Sequence, residues 1–137
     1  MTTEAGMTTL AERLRSCFER QDFTGLDELY SDDAMLELHV GAAHDVYRGR
    51  PAIVARYSED YASPATLLRW DVRQAAWGAV VEAAAVQGDG RDKVFFRWVH
   101  LLGIENGRIS TDTVYCTGAV PVAGSEAGQR SGGGRRS

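Results

Sequence analysis

The stretch KVFFRWVHLLGIENGRISTDTVYCT, residues 93–117, decides the fold. Asn106-Gly107 is the sharpest turn signal in the chain, because a two-residue hairpin turn needs positive φ at both central positions and Asn and Gly supply it at least cost. Aromatic and β-branched residues crowd both flanks, as in paired strands. The reading is a hairpin between Lys93–Ile104 and Arg108–Thr117. Counted outward from the turn, Glu105 opposes Arg108, Leu101 opposes Asp112, Val99 opposes Val114 and Arg97 opposes Cys116. Side chains alternate between faces. One face then holds Phe95, Arg97, Val99 and Leu101 with Ser110, Asp112, Val114 and Cys116. The other holds Phe96, Trp98, His100 and Leu102 with Ile109, Thr111, Thr113 and Tyr115. Both are largely apolar, so periodicity leaves open which one faces the core.

Two more strands, Leu67–Trp77 and Ala79–Gln87, lead through Gly88-Asp89-Gly90 into this hairpin. Upstream the apolar period becomes helical. Thr9 and Glu12 form a capping box for a helix from about Leu10 to Gln21, with Leu10, Leu14, Cys17, Phe18 and Gln21 along one side. Thr24 and Asp27 start a short second helix bearing Leu26, Leu29 and Tyr30, which Asp32 and Asp33 close. A strand, Met35–Val40, alternates Leu36, Leu38 and Val40 against Glu37 and His39. After a loop, Pro51 suits the first position of a third helix carrying Ile53, Val54, Tyr57 and Tyr61, which Pro64 ends. The order predicts an α+β domain with helices gathered on one side of a curved antiparallel sheet.

Composition narrows the classes. A chain of 137 residues makes one domain, and 44% apolar with 25% charged residues is an ordinary globular balance. No basic stretch followed by an apolar run marks a signal peptide, and no apolar run reaches the roughly 18 residues of a membrane span, so a cytoplasmic location is expected. Cys17 and Cys116 lack the spacing of a zinc or redox motif and read as buried thiols. Net charge is −4, and without the tail arginines Arg130, Arg135 and Arg136 it is −7. So acidic a body repels phosphate backbones, and nucleic acid is not an expected partner. The expected organisation is a flexible N-terminus over 1–8, a domain over 9–120 and a disordered Gly/Ser/Arg-rich tail over 121–137.

Three segments, DFTGLDELYSDDA (22–34), YRGRPAI (47–53) and ENGRI (105–109), resemble recurring pieces of the nuclear transport factor 2-like, or SnoaL-like, superfamily. The resemblance runs from about Thr9 to Gly118. It implies a cone-shaped cystatin-like roll, a strongly curved antiparallel sheet wrapped around three N-terminal helices with a cavity inside. The superfamily holds isomerases, dehydratases, polyketide cyclases, epoxide hydrolases and non-enzymes on one scaffold, so it implies the fold more sharply than the activity. The first forty residues look closest to bacterial ketosteroid isomerase. That enzyme's oxyanion tyrosine falls on Leu14, its general base on Leu38 and its neutral aspartic acid on Val99, so steroid isomerisation is not expected. Tyr30 and Tyr57 match its supporting pocket tyrosines. The Arg-x-Asp pattern of limonene-epoxide hydrolase is half present, since Arg97 is followed by Val99.

By the geometry that the resemblance implies, the face with Val99 lines the cavity, and Leu14, Phe18, Leu38, Phe95, Val99 and Val114 would contact a substrate. Arg97 and Asp112 are the charges on that face. Burial would raise the pKa of Asp112 and suit it to proton transfer near neutral pH, and Arg97 would stabilise an oxyanion or hold a carboxylate. The alternative is a pair of structural charges at the rim. Tyr30 and Tyr57 could donate to a substrate carbonyl or simply pack helix against helix. His39 with Glu37 makes half of a metal site, with His44 in the next loop, or else an outward polar face. Trp98, His100 and Tyr115 would form an outer face that buries a homodimer; His100 joins the catalytic set only if the two faces are exchanged. The expected function is cofactor-independent acid–base catalysis, an isomerisation, dehydration or cyclisation of a small, largely apolar carbonyl compound. The rivals are a non-catalytic ligand-binding or dimeric module, and an epoxide-hydrolase-like enzyme resting on Arg97.

Overall fold

The computed structural model describes residues 3–63, 65–88 and 90–122. Helix α1 spans Glu4–Arg20, a 3-10 turn Thr24–Glu28, strand β1 Tyr30–Val40, β2 Ala43–Arg48 and helix α2 Arg50–Asp60. The strands β3 (Ala65–Ala75), β4 (Gly78–Gln87), β5 (Val94–Glu105), β6 (Arg108–Cys116) and β7 (Val120–Pro121) follow, with a 3-10 turn at Gly90–Asp92. The strands form one curved, unclosed sheet in the order β2-β1-β6-β5-β4-β3, and β7 pairs with the start of β5. The class is α+β, with α1 packed against β3 and β4 and α2 against β1. No helix among the described residues is long and apolar enough to cross a membrane.

Several expected boundaries move. Thr3 caps α1 by accepting from the Gly6 N–H at 3.0 Å, so the helix starts ahead of Thr9 and takes in most of the expected flexible N-terminus. Met7, three residues before Leu10, extends the apolar stripe into that extra turn. The second helix is only a five-residue 3-10 turn, because Tyr30 already opens β1. Among the described residues, two α-helices rather than three therefore lie in the roll. The loop expected after Val40 is strand β2, turned back at Gly41 (φ 57°). β2 is an edge strand exposed along nearly its whole length, so it has no alternating apolar signal to read. One pair in the sheet, β1 with β6, runs parallel; every other pair is antiparallel. Pro64 and the tail from residue 123 lie outside the described residues.

The Asn106-Gly107 turn forms as expected, with φ of 53° and 77°. Beyond it, however, the count slips. Ile104 pairs with Ile109, but the next pair is Gly103 with Thr111, which leaves Ser110 as an extra residue in β6. This β-bulge makes Leu102, not Leu101, the partner of Asp112, and His100 the partner of Val114. A slip of one residue exchanges the faces of β5 relative to β6. Ile109 and Asp112, three apart, are both buried, and with them lie Trp98, His100, Leu102 and Ile104.

The core centres on Phe18 of α1. Its ring meets Phe23, Tyr57, Tyr61, Trp70, Trp98 and His100 at centroid distances of 5.0 to 5.9 Å. Leu14, Leu36 and Leu38 close the same interior.

Candidate functional site

A polar cluster lies within that apolar interior. Among the described residues, Asp112 of β6 and His100 of β5 are the buried charge-bearing side chains besides the tyrosines, each 0% exposed. Three elements converge on the Asp112 carboxylate. Tyr30, at the head of β1, donates its hydroxyl to Oδ2 at 2.6 Å. Tyr57, on the inner face of α2, donates to the same oxygen at 2.8 Å. His100 Nδ1–H donates to Oδ1 at 2.8 Å. Two residues back along β5, Trp98 donates its indole N–H to His100 Nε2 at 2.9 Å.

That last bond fixes the chemistry of the ring. Nε2 accepts, so its lone pair is occupied and the proton sits on Nδ1, facing Asp112. The cluster is therefore a carboxylate held by three neutral donors, with a neutral imidazole capped at its far side. Burial pushes the Asp112 carboxyl up, but the His100 imidazole beside it, first through its positive charge when protonated and then through its hydrogen bond, holds it below the usual aspartate value together with the Tyr30 and Tyr57 hydroxyls. The same arrangement acts on the phenols: burial first, then the Asp112 charge, drives both Tyr30 and Tyr57 well above an ordinary tyrosine. Both stay protonated donors.

The structure corrects three expectations at this site. Arg97 is exposed on the outer face, its guanidinium 5.5 Å over the Phe95 ring, and it does not approach Asp112. Phe95 and Val99 share that face and do not line the interior. Trp98 and His100, expected outside at a dimer contact, point inward and are 3% and 0% exposed; only Tyr115 remains outside, at 51%. The cause in each case is the bulge at Ser110, which no residue-by-residue count from the turn reveals. A further correction is electrostatic: the Asp112 pKa falls rather than rises, because the charge of a protonated His100 and the hydrogen bonds from His100, Tyr30 and Tyr57 outweigh desolvation.

Asp112, Tyr30 and Tyr57 do meet, and Leu14, Phe18, Leu38 and Val114 are buried around them. A pocket of about 50 Å³ opens beside the cluster, bounded by Tyr57, Tyr61, Trp98, His100, Val114 and Leu38, with Asp60 at its rim. That volume suits one or two waters, at roughly 30 Å³ each in the liquid, and not a steroid-sized ligand. The Trp70 indole N–H, in a ring 5.7 Å from His100, is the buried side-chain donor without an acceptor among the described residues. Elsewhere, a larger groove of about 510 Å³ runs between α1 and the first 3-10 turn, outside the roll.

Comparison with known proteins places this geometry in a family. The model of the SnoaL-like domain matches residues 11–111. No curated protein matches the chain in sequence. Among solved structures, an NTF2-like protein of unknown function from Mesorhizobium loti is 25% identical, with a TM-score of 0.66 over 83% of this chain and 93% of that one. A candidate polyketide cyclase from Xanthomonas campestris is 15% identical, with a TM-score of 0.67 over 81% and 90% of the two chains. An epoxide hydrolase from M. tuberculosis, described as LEH-like, is 14% identical, with a TM-score of 0.64 over 84% and 81%.

Proposed function

The chain belongs to the SnoaL-like domain family, and on that premise we propose that it is a cofactor-independent acid–base enzyme whose proton carrier is His100. The observation that carries this reading is the buried Asp112–His100 pair, with Nδ1–H on Asp112, Nε2 on the Trp98 indole, and both His100 and Trp98 lining the pocket. A carboxylate behind an imidazole fixes its tautomer and stabilises the imidazolium that forms when Nε2 takes a proton. Asp112 itself is the positioning residue. Each of its oxygens accepts from a donor, and Asp112 is not among the residues that line the pocket.

In the resting arrangement Trp98 occupies Nε2. Catalysis needs the indole to yield its place to a substrate C–H or O–H, which the pocket wall of Leu38, Val114 and Tyr61 would present from an apolar molecule. Proton removal beside a carbonyl leaves an oxyanion that requires a donor, and the released Trp98 N–H is the nearest one to Nε2. Isomerisation, dehydration or cyclisation of a small carbonyl compound all begin with that step. A substrate larger than the pocket requires Trp98 or Tyr61 to move, since about 50 Å³ admits only a few heavy atoms.

The test needs no named substrate. Small enolisable ketones and esters incubated with the protein in D2O exchange their α-protons if an acid–base catalyst acts, and NMR reads the loss of signal. Wild-type protein should accelerate exchange, and His100→Gln should return it to the buffer rate. Equal rates for wild type, His100→Gln and buffer across the panel would remove this reading.

One observation favours a second reading, a non-catalytic member whose polar cluster ties β1, β5, β6 and α2 together. Every donor and acceptor of that cluster is satisfied, and the pocket is small. Under it the same compounds bind without exchange, or not at all.

A further inference from the structure

On the opposite face of the sheet from Asp112, the β1–β2 hairpin gathers two imidazoles and a carboxylate. Glu37 and His39 are two apart on β1 and so share the outer face, and His44 of β2 stands directly opposite His39 in the ladder. His44 Nε2 lies 2.7 Å from Glu37 Oε2, and His39 Nε2 lies 3.4 Å from the same oxygen. One ligand atom from each of the three side chains falls within 4.8 Å of the others. The rings of His39 and His44 stack at 4.2 Å and 8°, and Tyr115 of β6 stacks on His39 at 4.5 Å and 12°. The stack holds both imidazoles with Nε2 turned to one carboxylate, which is more order than a solvated polar face requires.

We propose that Glu37, His39 and His44 form a binding site for a divalent transition-metal ion of the zinc type, on the outer face of the β1–β2 hairpin. Two imidazoles and one carboxylate are a donor set for zinc, copper or nickel and a poor one for magnesium or calcium, which take oxygen. Around a tetrahedral zinc with bonds of about 2.0–2.1 Å the ligand atoms stand roughly 3.3 Å apart. The His39–Glu37 separation of 3.4 Å is already near that value, and the 2.7 Å between His44 and Glu37 must lengthen as the ion enters between them. The three side chains are 27 to 48% exposed, so an ion can reach them and the remaining coordination positions face solvent. β2 is the free edge of the sheet. An ion bound here would clip that edge to β1 and stabilise the hairpin independently of the interior cluster.

The test uses tag-free full-length protein and zinc chloride. Isothermal titration should show one saturable zinc site per chain, with a rise in Tm as zinc is added, because an ion that binds only the folded state stabilises it. His44→Gln and Glu37→Gln each remove one ligand from an accessible side chain. Either should weaken zinc at least as much as the about 10- to 100-fold typical of losing a second-shell partner. Cys17 and Cys116 are the competing zinc ligands, both free thiols, so Cys17→Ser with Cys116→Ser should leave the affinity unchanged. An absence of saturable zinc binding, or binding that survives His44→Gln and vanishes with the thiols, would overturn the site.

Discussion

Trp98 and His100 lie two residues apart on β5, and the indole N–H of the first caps Nε2 of the second at 2.9 Å. That bond decides which nitrogen of His100 carries the proton, and so what the Asp112 carboxylate behind it can do. Trp98→Phe keeps an aromatic ring in place and removes the donor. The expected cost is about 1–2 kcal/mol, one hydrogen bond plus some lost packing. Long-range proton–nitrogen NMR of the wild type should show the proton on Nδ1. A wild-type spectrum with the proton on Nε2 would contradict the tautomer assigned from this contact.

Tyr30 and Tyr57 share one oxygen of a buried anion, so their contributions should not be independent. Tyr30→Phe and Tyr57→Phe each take one donor from a charged acceptor, at about 1.5–3 kcal/mol apiece. The double variant leaves Oδ2 with no donor, and it should lose more stability than the two single losses together. Urea unfolding of the four proteins gives the coupling. Losses that simply add would mean that water reaches the carboxylate and replaces the phenols.

The pH dependence follows from the direction of the Asp112 shift. Its folded pKa lies below the ordinary value of 3.8, so in that acid window the unfolded chain binds the proton first. The contribution of Asp112 to stability is fully present above the unfolded pKa and is lost as pH falls through the folded one. A carbon NMR titration of the Asp112 carboxyl should place its midpoint below roughly 3.9. A midpoint near neutrality would restore the raised pKa expected from burial alone and remove the three-donor account.

Deleting Ser110 tests the bulge itself. Without it, β6 pairs in an unbroken count from the turn, Ile109 with Ile104, Thr111 with Gly103 and Asp112 with Leu102, so Asp112 keeps its partner and its inward face. The deletion should therefore keep the cooperative melt and the near-UV dichroism of the aromatic core. Ser110→Ala keeps the count and loses only the hydroxyl's bond to the Gly103 carbonyl at 3.2 Å, so it should cost about 0.5 kcal/mol or less. A deletion variant that loses the near-UV signal would show that Ser110 is not the extra residue of the ladder.

The bulge also marks where the sequence stops being legible. Asn106-Gly107, Pro51 and the helical stripe of Leu10, Leu14 and Phe18 are local signals, and the turn, α2 and α1 that they announce are all present. Asp112 was readable as a candidate because a charge in apolar company needs a partner, and Tyr30 and Tyr57 through the resemblance to the isomerase's pocket tyrosines. That they bind one another was not, since Tyr30 and Asp112 are 82 residues apart in the chain. Which face of β5 turns inward rests on a single extra residue in β6. Alternation around Ser110 reads the same with or without a bulge, and so Arg97 and His100 exchange places. A sequence signal did exist in the Ile109–Asp112 spacing, three where a regular strand gives two, but it becomes readable only once both are known to be buried.

Catalysis gives the last prediction and the sharpest division between the two readings of the interior. If His100 Nε2 is the proton carrier, His100→Gln removes the base while leaving a hydrogen-bonding side chain of similar reach, and α-proton exchange should fall by about 10² to 10⁴. Asp112→Asn removes the charge behind Nδ1 but nothing that faces the pocket. It should lower kcat with little change in KM, a split that general loosening of the fold would not produce, since loosening disturbs binding as well. Trp98→Phe uncaps Nε2 and also removes the nearest donor to a developing oxyanion, so the two effects oppose. Binding of a small ketone should improve as the pocket widens beyond about 50 Å³, while turnover per bound molecule falls. Should Trp98→Phe tighten binding while neither it nor the wild type shows any exchange, the interior is a ligand pocket braced by Asp112, and His100 is a structural member of the brace.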